Sequence, residues 1–254
     1  MLKSLLLVGL ASVAFSMPAQ AKEWKEIRIA SEGFYPPFNY MSPDGELIGF
    51  DLDIAKALCD AMEAKCEIIA NDWDGMIPGL QANKFDAVIA SMAITEERQQ
   101  QVAFTDRYYS TPLAIVVPND TDIESVDAAS FDGKVVGAQA GTTQGNYAED
   151  VLAKAGAEVK LYPTADEAHA DLETGRLDAV AADKFVSAEW LKGGSGAECC
   201  KFLGDIPGTE TQISIALRKG DDDLREQFNE AIKKIREDGT YDTIRKKYFD
   251  FDIY

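Results

Sequence analysis

Apolar strand patterns alternate with helical patterns along most of the chain. From Asp51, the apolar residues Ile54, Ala55, Leu58 and Met62 share one helical face, which predicts an amphipathic helix. Further helices are predicted at 74–83, from Thr95, and at 142–155, 164–174, 221–238 and 241–248. Strands are predicted at 27–30, 85–90, 135–138, 159–162 and 178–182. This alternation predicts an α/β protein with mainly parallel sheets.

An internal repeat indicates how these elements are grouped. Residues 80–91, LQANKFDAVIAS, align with residues 172–183, LETGRLDAVAAD. In both copies a helix ends, Asp-Ala-Val opens a buried strand, and a small polar residue follows, which is Ser91 or Asp183. Two separated copies predict two lobes of similar build. Because ligands bind outside the carboxyl ends of open α/β sheets, Ser91 and Asp183 are expected to face a cleft that binds a small molecule.

The amino terminus carries an export pattern. Lys3 precedes an apolar run at 5–15, and Pro18 leads into Ala19-Gln-Ala21. These are the parts of a cleavable secretory signal, predicted at 1–21. The run is shorter than the roughly 20 residues of a membrane span, and no later stretch is long or apolar enough for one. The alternative is an amino-terminal core helix.

The net charge limits the classes of molecule that this protein is expected to bind. The chain has 44 acidic and 25 basic residues, a formal net charge of −19. Nucleic-acid phosphates and anionic membranes require basic surface, so neither is an expected partner. The acidic excess does not identify a ligand, since it commonly serves solubility.

Cysteine and histidine usage favours no metal site, and we expect no cofactor. Cys59 and Cys66 lie at a helix end and the turn beyond it, where a disulfide or two separate thiols would fit an oxidising compartment. Cys199 and Cys200 could form a vicinal disulfide or remain thiols. Their spacings are not those of a zinc site. The single histidine, His169, is predicted in mid-helix at the surface or at an edge, and no catalytic set can be assembled around it.

Several motifs in order along the chain resemble one known family. They are residues 27–38 (IRIASEGFYPPF), 49–54 (GFDLDI), 73–78 (WDGMIP), 85–98 (FDAVIASMAITEER), 137–144, and the ending 238–241 with 247–250. Together they resemble the periplasmic solute-binding proteins of polar amino-acid ABC transporters, family 3, in the branch that binds lysine, arginine, ornithine or histidine. The resemblance covers the whole chain after residue 21. It also matches the Cys59–Cys66 pair to a disulfide of that branch.

The resemblance implies a type II periplasmic-binding-protein fold whose two lobes close on a ligand about two hinge strands. Lobe 1 would comprise 22–110 and 211–254, and lobe 2 would comprise 111–210. It further implies a non-enzymatic, monomeric periplasmic protein that delivers an amino acid to the membrane permease of an ABC importer.

Arg98 is the predicted partner of the ligand carboxylate. A guanidinium offers two parallel donors that match a carboxylate, and the family has an arginine after the Ser-Met-Ala-Ile-Thr motif. Thr142 and Thr143 begin a predicted helix whose free N–H groups favour an anion. The alternative for Arg98 is an exposed helix arginine paired with Glu96 or Glu97. The alternative for the two threonines is an ordinary helix cap.

The resemblance assigns the ligand ammonium to Asp183, assisted by the Ser91 hydroxyl and the backbone at Ala93. Ala90 and Ala93 stand where the family has serines, so two side-chain hydrogen bonds of that wall are absent.

The ligand side chain is predicted between Tyr35 and Trp73, whose faces suit an aliphatic stem or a cation. Glu32 stands where the cation-binding branch has an acidic residue, and Gln139 where that branch often has an apolar one. The alternative for the aromatic pair is a half-buried core position. Lysine, arginine, ornithine and histidine are the expected ligands, and arginine-derived opines are the alternative. Two remoter interpretations concern the whole protein. One is a cyclohexadienyl-dehydratase-like enzyme with Glu32 as general acid, and the other is a sensory ligand-binding module.

Overall fold

The computed structural model describes residues 24–254, so the predicted signal segment lies outside the described residues. The strands are β1 (Glu26–Ser31), β2 (Phe34–Tyr35), β3 (Asn39–Met41), β4 (Leu47–Ile48), β5 (Lys65–Ala70), β6 (Ala87–Val88), β7 (Ala103–Thr111), β8 (Leu113–Pro118), β9 (Val135–Gln139), β10 (Glu158–Tyr162), β11 (Ala179–Asp183), β12 (Cys200–Asp205) and β13 (Thr211–Leu217). The α-helices are α1 (Phe50–Ala61), α2 (Met76–Gln81), α3 (Glu96–Gln101), α4 (Thr143–Tyr147), α5 (Ala165–Glu173), α6 (Lys184–Trp190), α7 (Gly194–Cys199), α8 (Asp222–Glu237) and α9 (Thr240–Tyr248).

The chain forms two lobes, each built on a sheet of mainly parallel strands flanked by helices. The first sheet has the order β5-β1-β6-β13-β7 and the second has the order β10-β9-β11-β8-β12. In each sheet the first three strands are parallel, the fourth is reversed, and the fifth runs with the first three. The two orders are equivalent, which confirms the predicted two-lobed α/β fold.

The repeated segment occupies the same place in both sheets. β6 and β11 lie third in order, each next to the strand at the start of its own βαβ unit, and each follows the helix predicted before it, α2 or α5. A small three-stranded sheet of β2, β3 and β4 lies beside lobe 1 and has no counterpart in the repeat. The sequence patterns did not predict it, because its strands are only two or three residues long.

Each sheet is covered by apolar side chains on both faces. In β1, Ile27 and Ile29 pack with α1, α8 and α9, whereas Ala30 packs on the opposite face with α2. In lobe 2, Val136 and Ala181 belong to one core cluster and Val180 and Ala182 to the other. Successive strand residues point to opposite faces, so burial on both faces explains the continuous apolar runs of these strands.

Two chain segments connect the lobes side by side. The chain leaves the first sheet at the end of β7 and enters the second at β8, and it returns between β12 and β13. Thr111 pairs with Thr211 in the antiparallel β7–β13 ladder, and the Leu113 N–H donates to Thr209 Oγ1 at 3.0 Å. Both connections therefore run through neighbouring backbone, the arrangement that a hinge needs.

Several local predictions needed correction. The segment predicted as one helix at 142–155 is α4 followed by a π-helical turn, Ala148–Leu152, and a 3-10 turn, Ala153–Ala155. A 3-10 turn, Trp73–Gly75, precedes α2, with Asp72 rather than Asp74 at its start. Apolar periodicity locates helices, but it does not distinguish these tighter or wider turns.

Both cysteine pairs are disulfides in the structure. Cys59 in α1 is bonded to Cys66, with their Cα atoms 6.1 Å apart. Cys66 lies in β5, so the bond ties a helix to an edge strand rather than to a turn. Cys199 and Cys200 form a vicinal disulfide where α7 meets β12.

Candidate ligand-binding cleft

The predicted site residues surround one cavity between the lobes. Lobe 1 contributes Glu32, Tyr35, Trp73, Ala90, Ser91, Ala93 and Arg98, and lobe 2 contributes Gln139, Thr142, Thr143 and Asp183. The fold thus brings together all the residues predicted to bind ligand. That they bind one remains a prediction.

Strand ends explain why these residues meet. Glu32 follows β1, Ser91 follows β6, Gln139 ends β9, and Asp183 ends β11. All four strands are parallel members of their own sheets, so their carboxyl ends lie at one edge of each lobe. The two edges face each other across the cavity, which is where open α/β sheets place ligands.

Arg98 is a buried cation that no acidic side chain of the described range pairs with. Its backbone N–H donates to the Thr95 hydroxyl that caps α3, which fixes the start of the helix. Its Nη1 donates to Ala93 O and its Nη2 to Gly141 O in the other lobe, both at 2.9 Å. Burial lowers the pKa of Arg98 to about 10, so it stays charged at neutral pH. It is therefore not the exposed, Glu-paired arginine of the alternative interpretation.

Asp183 both caps a helix and lines the cavity. Its Oδ1 accepts the N–H groups of Phe185 at 2.8 Å and Val186 at 3.2 Å, which caps α6. The cap uses Oδ1 alone, and the Thr111 side chain also hydrogen-bonds to the carboxylate. Burial raises the pKa of Asp183 to about 6. A positive group in the cavity would pair with the carboxylate and so favour its ionised form.

Comparison with known proteins identifies the family of this chain. Residues 27–251 match the model of the bacterial extracellular solute-binding proteins, family 3. The chain belongs to that family. The match spans both lobes and every residue that lines the cavity.

Named relatives are similar over nearly the full length of this solute-binding protein. It is 40% identical to an L-arginine-binding protein of Pseudomonas aeruginosa over 100% of this chain and 99% of the relative. It is 40% identical to a histidine-binding periplasmic protein of Salmonella typhimurium over 91% and 90% of the two chains. A solved ancestral arginine-binding protein bound to arginine is 38% identical, with a TM-score of 0.84 over 90% of this chain and 100% of that one.

A hydrogen bond joins the two lobes of the binding protein between two residues that line the cavity. Gln139 Nε2 donates to Glu32 Oε1 at 2.7 Å and to Pro163 O at 3.1 Å. Only 5% of Glu32 and 2% of Gln139 are exposed, so the contact is shielded from solvent. Burial raises the pKa of Glu32 to about 7, and the Gln139 bond opposes that rise. A ligand cation would favour the ionised carboxylate further.

The aromatic residues differ in their surroundings. Tyr35 is buried, and its hydroxyl accepts from Gln144 Nε2 of the other lobe at 3.2 Å. Trp73 is half-buried and donates from Nε1 to Gly141 O at 3.2 Å, with the Arg98 guanidinium 5.2 Å from its ring centroid. Both rings line the cavity and both contact lobe 2, so they can contribute to lobe closure as well as to the cavity wall.

Ser91 is held by a buried carboxylate that sequence patterns did not reveal. Its hydroxyl donates to Asp51 Oδ2 at 2.9 Å, and Asp51 also accepts from Asn39 Nδ2 and the Tyr108 hydroxyl at 2.8 Å. The Ser91 proton therefore points at Asp51 rather than into the cavity. The hydroxyl oxygen remains an acceptor, which is the role that an ammonium group requires. Asp51 was predicted only as the start of α1.

Thr142 acts as a helix cap. Its hydroxyl donates to Gln139 O at 2.7 Å and accepts the Gly145 N–H at 3.0 Å. The side chain is therefore fully used by the fold, and the groups left for an anion are backbone N–H groups at this helix start. The Thr143 hydroxyl donates to Gln144 Oε1 at 3.2 Å.

Several cavity residues were not predicted individually. They are Thr111, Leu113, Gln144, Thr211 and Ile213. Four of them lie in strands next to the predicted lobe boundaries, 110/111 and 210/211, so those boundaries carried the signal. Gln144 lay inside the family motif at 137–144 without being singled out.

His169 is buried, so the prediction of a surface or edge residue was wrong. Only 1% of it is exposed, it stacks on Trp190 with ring centroids 4.5 Å apart, and its Nε2 lies 3.3 Å from the Ser187 hydroxyl. Burial lowers the pKa of His169 to about 4. In residues 24–254, no group of three His, Cys, Asp or Glu side chains is arranged to hold a metal ion, and no helix is long and apolar enough to cross a membrane.

Proposed function

We propose that this chain captures a cationic amino acid, namely arginine, lysine, ornithine or histidine, between its lobes. The observation that carries the proposal is the charge arrangement of the cavity. One buried guanidinium, Arg98, faces a space that also holds the buried carboxylates Asp183 and Glu32. A cationic amino acid carries one carboxylate and two positive groups, so its charges complement those of the cavity.

In this proposal Arg98 and the backbone at Thr142 and Thr143 bind the ligand carboxylate. Asp183 accepts from the ligand ammonium, with the Ser91 oxygen and the Ala93 backbone beside it. Burying unpaired charges is costly, so a ligand that pairs all of them stabilises the closed arrangement.

The ligand side chain lies along Tyr35 and Trp73 towards Glu32, with Gln139 beside its end. Ala90 adds only a methyl group to this wall, which leaves the polar contacts to its neighbours. We propose lobe boundaries at 22–110 with 211–254 and at 111–210, so that closure brings the Asp183 side to the Arg98 side.

Binding without chemical turnover is the role we propose. In this proposal each charged side chain of the cavity pairs with a charged group of the ligand. The relatives named above are binding proteins. Export through a signal at 1–21 to the periplasm, and delivery as a monomer to the permease of an ABC importer, complete the proposal, as is typical of the family.

Calorimetry on refolded, ligand-stripped protein tests the ligand class. Arginine, lysine, ornithine and histidine are titrated beside glutamine, glutamate and an arginine-derived opine. A ligand present at about 1,000 times its Kd should also stabilise the fold by about 4 kcal/mol in thermal unfolding. Heat and stabilisation from a cationic amino acid support the proposal. Binding of the opine alone, or of neutral amino acids alone, would contradict it.

A further inference from the structure

Gln139 and Glu32 meet across the lobes in an orientation that their partners determine. Gln139 Nε2 contacts both Glu32 Oε1 and Pro163 O. A proline carbonyl can only accept, so the atom facing it must be the amide nitrogen. The amide oxygen therefore lies on the other side of the same group. Gln139 lines the cavity, and its side-chain bonds among the described residues are both made by Nε2, so the oxygen is an acceptor without a protein donor beside Glu32.

This end of the cavity offers acceptors from two different side chains. The Gln139 bond occupies Glu32 Oε1, which leaves Glu32 Oε2 and Gln139 Oε1 for the ligand. An ammonium is a compact group whose donors diverge from one nitrogen. A guanidinium spreads its N–H donors over a planar fork and can reach two separate acceptors at once.

We propose that Gln139 is a specificity-determining residue that makes this cavity select a guanidinium over an ammonium as the end group of its ligand. The inference rests on the proposed function, because it concerns the same cavity. Glu32 attracts either cation through its charge. Gln139 adds a neutral acceptor beside the carboxylate, and the planar fork of a guanidinium, with five N–H donors against three in an ammonium, is better suited to bond both side chains, so arginine should bind more tightly than lysine.

Gln144 provides a matched control within the same lobe. Its amide also crosses to lobe 1, where Nε2 donates to the Tyr35 hydroxyl at 3.2 Å, and 4% of its surface is exposed. It therefore resembles Gln139 in type, burial and cross-lobe bonding, but its partner is neither Glu32 nor an end-group acceptor. Its loss should weaken closure around every ligand to the same extent.

The test is calorimetry of arginine and lysine binding to wild-type protein, Gln139→Met and Gln144→Met. Methionine keeps the length of glutamine and removes its amide. In wild type the Kd for arginine should be at least about tenfold lower than for lysine, a difference of about 1.4 kcal/mol. In Gln139→Met that ratio should fall at least tenfold. In Gln144→Met both Kd values should rise together, with the ratio within about threefold of wild type.

The outcomes separate this inference from the proposed function. If wild type binds neither amino acid, the proposed function fails. If it binds both but prefers lysine, or if Gln139→Met keeps the wild-type ratio, only the role of Gln139 is overturned. A ratio that falls equally in Gln144→Met would also overturn it, because the effect would then belong to closure. Should Gln139→Met not fold, Gln139→Leu replaces it under the same criteria.

Discussion

Replacing Arg98 tests the proposed contact between this guanidinium and the ligand carboxylate. In the structure its two terminal nitrogens reach acceptors on different lobes, Ala93 O and Gly141 O, each at 2.9 Å. Lysine keeps the charge but offers one nitrogen, so it cannot hold a carboxylate through two parallel bonds. Methionine removes the charge and keeps an unbranched apolar stem.

The expected losses follow from the burial of Arg98, of which 8% is exposed. Loss of one charge-assisted hydrogen bond costs about 1.5–3 kcal/mol, so Arg98→Lys should raise the Kd about 10- to 160-fold. Loss of one partner of a buried pair costs about 3–5 kcal/mol, so Arg98→Met should raise it about 150- to 5,000-fold. The order, wild type then lysine then methionine, is part of the prediction.

Calorimetry with arginine measures these losses, and the ligand-induced rise in Tm gives an independent readout. Arg28→Lys serves as control, because Arg28 pairs with Asp86 outside the cavity, with a 3.0 Å contact. It should leave the Kd within about threefold of wild type. An Arg98→Met variant that folds and binds arginine with wild-type affinity would refute the assignment of Arg98 as carboxylate partner.

Three further predictions concern charge and stability. Asp183→Asn should keep the α6 cap, since asparagine also caps helices, yet raise the Kd for arginine by tenfold or more in calorimetry; an unchanged Kd would contradict the ammonium role. Burial raises the pKa of Glu32 to about 7 and of Asp183 to about 6, so a cationic ligand must displace protons below those values. Arginine affinity should therefore fall as the pH drops from 8 to 5. Glu32→Gln should remove the part of this fall that lies nearest pH 7. An affinity that does not change with pH in wild type would count against both carboxylates. Replacing Cys59 and Cys66 by serine opens a loop with a sequence separation of 7, which should lower the free energy of urea unfolding by about 2–3 kcal/mol with little effect on ligand affinity.

The same carboxylates make the ligand-free closed form sensitive to pH. A carboxyl whose folded-state pKa is raised contributes stability below its unfolded pKa and loses it as the pH rises through the folded value. The shifts of Asp183 and Glu32 place that loss between about pH 4 and pH 7. Ligand should restore the stability at pH 7, because it pairs with the ionised groups.

The sequence by itself determined the grouping into two lobes and the type of most predicted elements, whereas its periodicity did not predict the strands β5, β7, β8, β12 and β13. Apolar periodicity separates strands from helices because the two have different repeats along the chain. The copy of residues 80–91 at 172–183 was sufficient to predict two similar lobes with Ser91 and Asp183 at strand ends. The motifs, taken together in their order along the chain, added the family resemblance and hence the residues now found around one cavity.

Only the tertiary structure decided which groups meet and which atoms they present. Gln139 and Glu32 are separated by 107 residues, and Ser91 and Asp51 by 40, so no local pattern relates them. The burial of His169 likewise depends on the Trp190 ring, which α6 brings against α5. Periodicity encodes the face of an element that is buried, whereas the partner on that face depends on how distant elements pack. For this protein the cleft residues could be named from the sequence, but the bond from Gln139 to Glu32 and the direction of the Ser91 proton required the folded chain.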